Sequence, residues 1–359
     1  MFHRAPSEII DHIVYFTDNK VIELSLINKY FNQNVKRIRI TSNSNYPVIR
    51  DEHLSNLPNL TELDLVDNFL ITNKGLSKLT GLLTLILDNN KMIKNKGISN
   101  LTNLTKLSLS WENLYDNYTI SDRGIGNLIN LIHLNLSDNE LITNDGIQKL
   151  TNLKELVLNG TQNVTNDGLI ILTNLTDLQI SDNDQITDEA LIYLSKLVSL
   201  DINLNEQITD KGISSLTNLK TLYLGENSNV TNNGISTLTN LTFLCLNLND
   251  SITDDGLNIN IHTLRLNGNN KITDNGISKL HNLKVLDLKD NSKITDKGIS
   301  GLRSLHHVNL CNNPQITNAG ISELTNLTLL SLRNNKRITL NGISGLTNLT
   351  KIASYNSNL

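Results

Sequence analysis

Eight histidines, two cysteines and a set of carboxylates are the side chains of this 359-residue chain that could carry chemistry, and their spacing decides whether they can act together. His281 with the adjacent His306 and His307 is the arrangement nearest to a metal-ligand set. A zinc site takes paired Cys or His ligands a few residues apart, completed by further Cys, His or carboxylate groups, and no such spacing surrounds these three. His3, His12, His53, His133 and His262 are scattered. Cys245 and Cys311 would need an activating histidine in their sequence context to serve as nucleophiles, and neither has one. Glu155 and Asp177 stand one period apart and imitate an acid–base pair. An open surface does not desolvate two carboxylates enough to move their titration usefully. The chain has neither a Gly-x-x-x-x-Gly-Lys-Ser/Thr loop nor a His-Glu-x-x-His pair. The expectation is a protein without catalytic residues, metal or cofactor.

The elements that position these side chains follow a period of 22 residues. A Leu-x-Leu pair, or an aliphatic equivalent, recurs thirteen times from Leu63/Leu65 to Leu330/Leu332, with a degenerate fourteenth unit from Ile352. Of the twelve intervals, ten are 22 residues, one is 27 and one is 20. Leu200 to Thr221 is a clear copy. Its two inward aliphatics belong to a short strand whose flanking residues face out. An Asn follows each strand, from Asn68 to Asn335, and its amide can satisfy backbone groups that would otherwise be buried without partners. Glu112 and Thr161 replace it in two units, where the ladder is expected to weaken. An Ile-Thr-Asp-x-Gly stretch returns the chain, with Thr or Asp suited to cap one helical turn and Gly unsuited to a long helix. This unit resembles the leucine-rich repeat family over nearly all of the chain after residue 37. The resemblance implies an α/β solenoid, a curved horseshoe with a parallel sheet on its concave side, and a protein-binding role. The expected domains are a small helical head at 1–36 and the solenoid at 37–359.

Composition narrows the partners. The formal charge is −4 and no Lys/Arg run occurs, so a broad nucleic-acid footprint is not expected. No apolar run approaches a membrane span, and the first residues lack the apolar core of a signal peptide. Cys245 and Cys311 lie three repeats apart, so at ~4.8 Å per strand their Cα atoms are roughly 14 Å apart, beyond the ~7 Å limit of a disulfide. Both are expected to be free thiols, as in the cytoplasm or nucleus. Asn-x-Thr triplets at Asn59, Asn103, Asn174, Asn240, Asn326 and Asn348 then read as parts of the repeat rather than glycosylation acceptors.

Residues 1–36 lack the repeat. Ile9, Ile13 and Phe16 recur at helical spacing after Pro6 and Ser7, and Thr17-Asp18-Asn19 breaks the pattern. A second apolar stretch carries Leu24, Ile27 and Phe31 on one side. Pro6, Glu8-Ile9, Ile13 and Phe16, followed by Leu24-Ser25-Leu26-Ile27-Asn28-Lys29-Tyr30-Phe31, resemble an F-box motif. That resemblance implies docking to a Skp-type adaptor of a cullin ubiquitin ligase through Pro6, Ile9, Ile13, Phe16, Leu24 and Leu26, with the solenoid selecting the target protein. The same residues also fit an amphipathic cap on the open end of the solenoid, which such arrays require. The two readings are compatible. A stand-alone binding protein or inhibitor with a plain cap is the alternative.

Outward strand positions define the expected binding face. Tyr223, Phe243 and Cys245 fall on adjacent strands as an aromatic patch, beside Asp201 and Arg265, and exposed aromatics are common interface anchors. Acidic positions such as Glu62, Asp64, Glu155, Asp177 and Asp201 precede Arg265, Lys289 and Arg333, a charge gradient that would orient a partner. The 27-residue unit adds a second candidate, an insertion with Trp111, Tyr115 and Tyr118, which either meets a partner or folds back onto its neighbours. The 20-residue unit has lost two residues around Leu257–Ile261, expected to alter only local curvature.

Overall fold

The computed structural model describes residues 14–15, 36–39, 50–54, 57, 59–111 and 119–353. The chain divides into two compact units, Met1–Leu175 and Thr176–Leu359. In the first unit each Leu-x-Leu becomes a three-residue strand: β3 (Glu62–Asp64), β4 (Thr84–Ile86), β5 (Lys106–Ser108), β6 (His133–Asn135) and β7 (Glu155–Val157) follow β1 (Val14–Tyr15) and β2 (Arg37–Arg39). The second unit holds β8 (Asp177–Gln179), β9 (Ser199–Asp201), β10 (Thr221–Tyr223), β11 (Phe243–Cys245), β12 (Thr263–Arg265), β13 (Val285–Asp287), β14 (His307–Asn309), β15 (Leu329–Ser331) and β16 (Lys351–Ala353).

Within each unit the strands lie in sequence order and pair in parallel. An aliphatic residue opposes an aliphatic residue across these pairings, as in Leu200 to Leu222 to Leu244 and Leu286 to Val308 to Leu330. The irregular units keep that register. Leu107 still opposes Leu134 across the five added residues, and Leu244 opposes Leu264 across the shortened interval. The pleat explains this, because a one-residue slip would turn every buried leucine to water. One repeat buries Leu200, Ile202, Ile208, Ile213, Leu216 and Leu219 completely, each burial stabilising by about 1.5–3 kcal/mol.

Polar side chains tie neighbouring repeats together in three ladders. In the first, Asn227 Nδ2 donates to the Asn205 carbonyl at 2.5 Å while its Oδ1 accepts from the Asn229 and Val230 amides at 3.1 and 3.0 Å. Its own carbonyl accepts from Asn249 Nδ2 at 2.6 Å. Thr161, where the ladder is expected to weaken, donates its hydroxyl to the strand-end carbonyl of Leu136 at 3.0 Å, the counterpart of the Leu224 carbonyl that Asn249 Nδ2 also reaches. Glu112 lies outside the described residues, and beyond it Asn139 reaches the Leu109 carbonyl only at 3.5 Å.

The second ladder sits at the one-turn helices of the return segments. Asp188 accepts from the backbone and hydroxyl of Thr209 at 2.8 and 2.6 Å, and Thr209 caps its own helix, Asp210–Ile213, by accepting from the Lys211 amide. Where Asn232 holds the Asp position, the Thr253 amide still donates to its Oδ1 at 3.0 Å but the side-chain bond reverses. Asn232 Nδ2 donates to Thr253 Oγ1 at 2.7 Å, and Thr253 makes no side-chain cap. The third ladder explains the Asn-x-Thr triplets, since Asn240 Nδ2 donates to the Thr217 carbonyl at 2.9 Å and Asn326 to that of Arg303 at 2.8 Å.

Glycine in the helical turn answers a close approach. A Cβ on Gly212 would overlap the Asp188 carboxylate and stand 3.1 Å from Asp188 Cα. In the shortened unit the turn at Asp254–Gly256 is a 3-10 turn and Leu257 is extended, so the deletion changes helix type as well as length. The expected helix of the head is corrected at two positions. Val14–Tyr15 is a strand paired with Ile38–Arg39, an arrangement that gives its backbone groups partners from β2. The other head residues, including Pro6, Ile9, Ile13, Phe16, Leu24 and Leu26, lie outside the described residues.

Candidate functional site

Pairing in register brings Asp201, Tyr223, Cys245 and Arg265 into one row across β9 to β12, with Phe243 in the neighbouring row opposite Thr221. The inward Leu200, Leu222, Leu244 and Leu264 are fully buried and fix which face these residues share. Cys245, opposite Tyr223, is small and 3% exposed. It leaves room for the larger side chains on either side. Tyr223 reaches diagonally to Phe243, with ring centroids 4.7 Å apart at 44°. Diagonal neighbours on adjacent strands are within reach of aromatic side chains. From the other side the Arg265 guanidinium carbon lies 5.3 Å from the Phe243 ring centre, inside the range of a cation–π contact. Phe243 is therefore held between a phenol and a guanidinium.

Electrostatics mark the same row. Burial pushes the Asp201 carboxyl above its usual range, against the pull of the bonds from the Asn203 amide and the Ser181 hydroxyl, and Asp177 pushes it further up. Those bonds are 3.0 and 2.7 Å long. Burial also raises the Tyr223 hydroxyl, opposed by the Arg265 charge and reinforced by Asp201. The Cys245 thiol is likewise raised by burial, with opposing contributions from the Asn247 amide and Arg265. A raised thiol stays protonated and is a poor nucleophile. An aromatic pair flanked by a guanidinium and carboxylates is suited to hold another surface, not to break a bond.

The first unit carries a second concavity, of about 210 Å³, between Asp88, Lys106, Ser108, His133, Glu155 and the apolar Ile86 and Val157. His133 Nδ1 lies 2.6 Å from Glu155 Oε2, and the Ser108 hydroxyl donates to Asp88 Oδ1 at 2.6 Å. Two separate pairs result, with no Ser–His–acid relay. Sequence reasoning missed the His133–Glu155 pair, although the two residues hold the same outward position of consecutive repeats, which is the signal that would have found it.

The remaining candidates are distributed elsewhere. Trp111 is 5% exposed and its amide extends the pairing to the Ser137 carbonyl at 3.1 Å, so its ring serves the core rather than a surface. Tyr115 and Tyr118 lie outside the described residues. His307 is an outward strand residue, while His306 Nδ1 bonds the Ser304 carbonyl at 2.8 Å. Cys245 and Cys311 are free thiols. Among the described residues no group of three or more His, Cys, Asp or Glu is placed to hold a metal ion, and no helix is long and apolar enough to cross a membrane.

Comparison with known proteins agrees with this construction. The Leucine Rich repeat family model matches residues 56–79, 127–150, 172–195, 193–217, 258–280 and 279–302. No curated protein matches the chain. Among solved structures, an internalin from Listeria monocytogenes is 25% identical, with a TM-score of 0.52 over 89% of this chain and 92% of that one. A chain of the yeast Rad7–Elc1 complex is 20% identical, with a TM-score of 0.57 over 81% of each chain. A chain of the TLR13–ssRNA13 complex is 23% identical, with a TM-score of 0.59 over 91% of this chain and 60% of that one. The last two likenesses concern the fold alone. The repeating unit of this chain, with its inward leucine pair, its buried asparagine and its one-turn helix, is the leucine-rich repeat.

Proposed function

We propose that this chain is the target-selecting subunit of a ubiquitin ligase, in which the strand face around Tyr223 and Phe243 holds a target protein and the F-box-like head docks a Skp-type adaptor. The coarser part rests on the repeats, since leucine-rich repeats are protein-interaction modules. The observation that carries the binding face is the Tyr223–Phe243–Arg265 stack, with centroids at 4.7 Å and the guanidinium at 5.3 Å. Its aromatics are only half-buried, and such groups anchor interfaces when a partner completes their desolvation. The head reading rests on its resemblance alone, and with it goes a cytoplasmic or nuclear setting.

A second reading has one observation in its favour. Val14–Tyr15 pair with β2 and extend the sheet by one strand, as part of a plain cap would, which favours a stand-alone binding protein. Affinity purification with the full-length protein and its Tyr223→Ser/Phe243→Ser variant tests the binding face. Proteins retained by the wild type and lost from an equally folded variant support it. Identical sets of retained proteins overturn it.

A further inference from the structure

The third residue after each of the strands β8 to β15 turns the chain through the left-handed region. In the second unit it is Asp182, Leu204, Glu226, Leu248, Gly268, Asp290, Asn312 or Asn334, with φ between 53° and 63°. Asp, Asn and Gly tolerate that conformation, whereas a bulky apolar side chain adopts it at a cost. Leu204 and Leu248 hold it at φ 57° and 53°, and burial does not repay them, for they are 47% and 53% exposed. They stand at the ends of β9 and β11, on either side of β10, whose last residue is Tyr223. Leu248 lies across the next turn, since a Cβ on Gly268 would come within 2.5 Å of its Cδ2. Strain kept at exposed apolar residues beside an aromatic patch is a mark of function.

The surrounding charge is predominantly negative. On the outward positions and following turns of β8 to β13, six carboxylates (Asp177, Asp182, Asp201, Glu226, Asp287 and Asp290) face two cations, Arg265 and Lys289. Arg265 is stacked on Phe243, and Lys289 lies 3.6 Å from Asp290. We propose that Leu204, Leu248, Tyr223 and Phe243 form one docking surface for a basic segment of a partner protein. Apolar side chains of that segment seat on the leucines and rings, and its lysines or arginines meet the carboxylates. This inference rests on the strand face being the binding face.

The test is selection of a random peptide library on the full-length protein at physiological ionic strength. Selected peptides are expected to be rich in Lys or Arg interspersed with Leu or aromatic residues. They should bind the Leu204→Asn/Leu248→Asn variant roughly tenfold or more weakly, while that variant melts about 2–4 °C higher because Asn tolerates the left-handed turn. Acidic or uncharged selections, no selection above background, or undiminished binding to that variant overturn the proposal. If binding survives in that variant and is lost in Tyr223→Ser/Phe243→Ser, the binding face stands and only the leucine extension fails. If binding survives in both, the binding face itself fails.

Discussion

Replacing Asn227 by Ala removes one rung of the asparagine ladder, and its cost follows from the partners left behind. The side chain is 0% exposed. It satisfies the Asn205 carbonyl at 2.5 Å and the Val230 amide at 3.0 Å, both on residues without exposed surface, and the less buried Asn229 amide at 3.1 Å. Each buried orphan costs about 1–3 kcal/mol, so the two buried groups together set the loss at roughly 2–6 kcal/mol. That is a large fraction of a typical domain's stability of about 5–15 kcal/mol. Asn227→Thr should still leave the Asn205 carbonyl without its side-chain donor, at about 1–3 kcal/mol, because the Thr161 hydroxyl in this place reaches the Leu136 carbonyl, the counterpart of Ile202 and not of Asn205. Asn229→Ala removes an exposed bond to the Glu206 carbonyl at 2.7 Å, and should stay within about 0.5 kcal/mol of wild type. Urea unfolding followed by circular dichroism ranks the three variants, and hydrogen exchange at the Val230 amide reports the local opening. Equal stability of Asn227→Ala and Asn229→Ala would refute the reasoning.

Gly212→Ala should destabilise by about 1–3 kcal/mol through overpacking although Ala favours a helix by about 1 kcal/mol, because the new Cβ meets Asp188. A rise in melting temperature would contradict the close approach. Asp274→Asn should turn the Thr295 hydroxyl into an acceptor for the new amide and release its cap on the Lys297 amide, costing about 0.5–1 kcal/mol. Retention of that cap in the variant's crystal structure would count against the second ladder. Asp201 tests the electrostatics. Its carboxyl is raised in the folded state, so the folded state binds the proton more tightly than the unfolded chain and ionisation destabilises the fold as pH rises through the folded value. Asp201→Asn keeps an acceptor for Asn203 and Ser181, so it should match or exceed wild type at neutral pH, with wild type gaining on it as pH falls through that value. Urea midpoints that show wild type losing ground on acidification would reverse the sign.

The repeat, its parallel register and the buried asparagines were legible because each depends on a residue type recurring at fixed spacing. Leu107 and Leu134 stay paired across a 27-residue unit for the same reason, as the inward face tolerates loops but not slips. The aromatic patch was legible too, since Tyr223 and Phe243 occupy outward positions of adjacent strands. What escaped lies between repeats. The Asp–Thr ladder, the overlap of Gly212 with Asp188 and the His133–Glu155 pair join residues some twenty positions apart whose partnership depends on how one turn stacks on the next. The buried Trp111 was ambiguous in sequence, because an insertion that serves the core reads like one that serves a surface. Leu204 and Leu248 escaped because the left-handed turn they occupy is usually marked by Asp, Asn or Gly.

The two-part receptor is tested most directly by binding of the folded full-length protein to a purified Skp-type adaptor, measured by calorimetry beside a chain that begins at Val35. The account predicts binding by the full-length protein that is lost with residues 1–34. Absence of binding by a well-folded full-length protein would contradict it and leave a leucine-rich-repeat binding protein with a capped end.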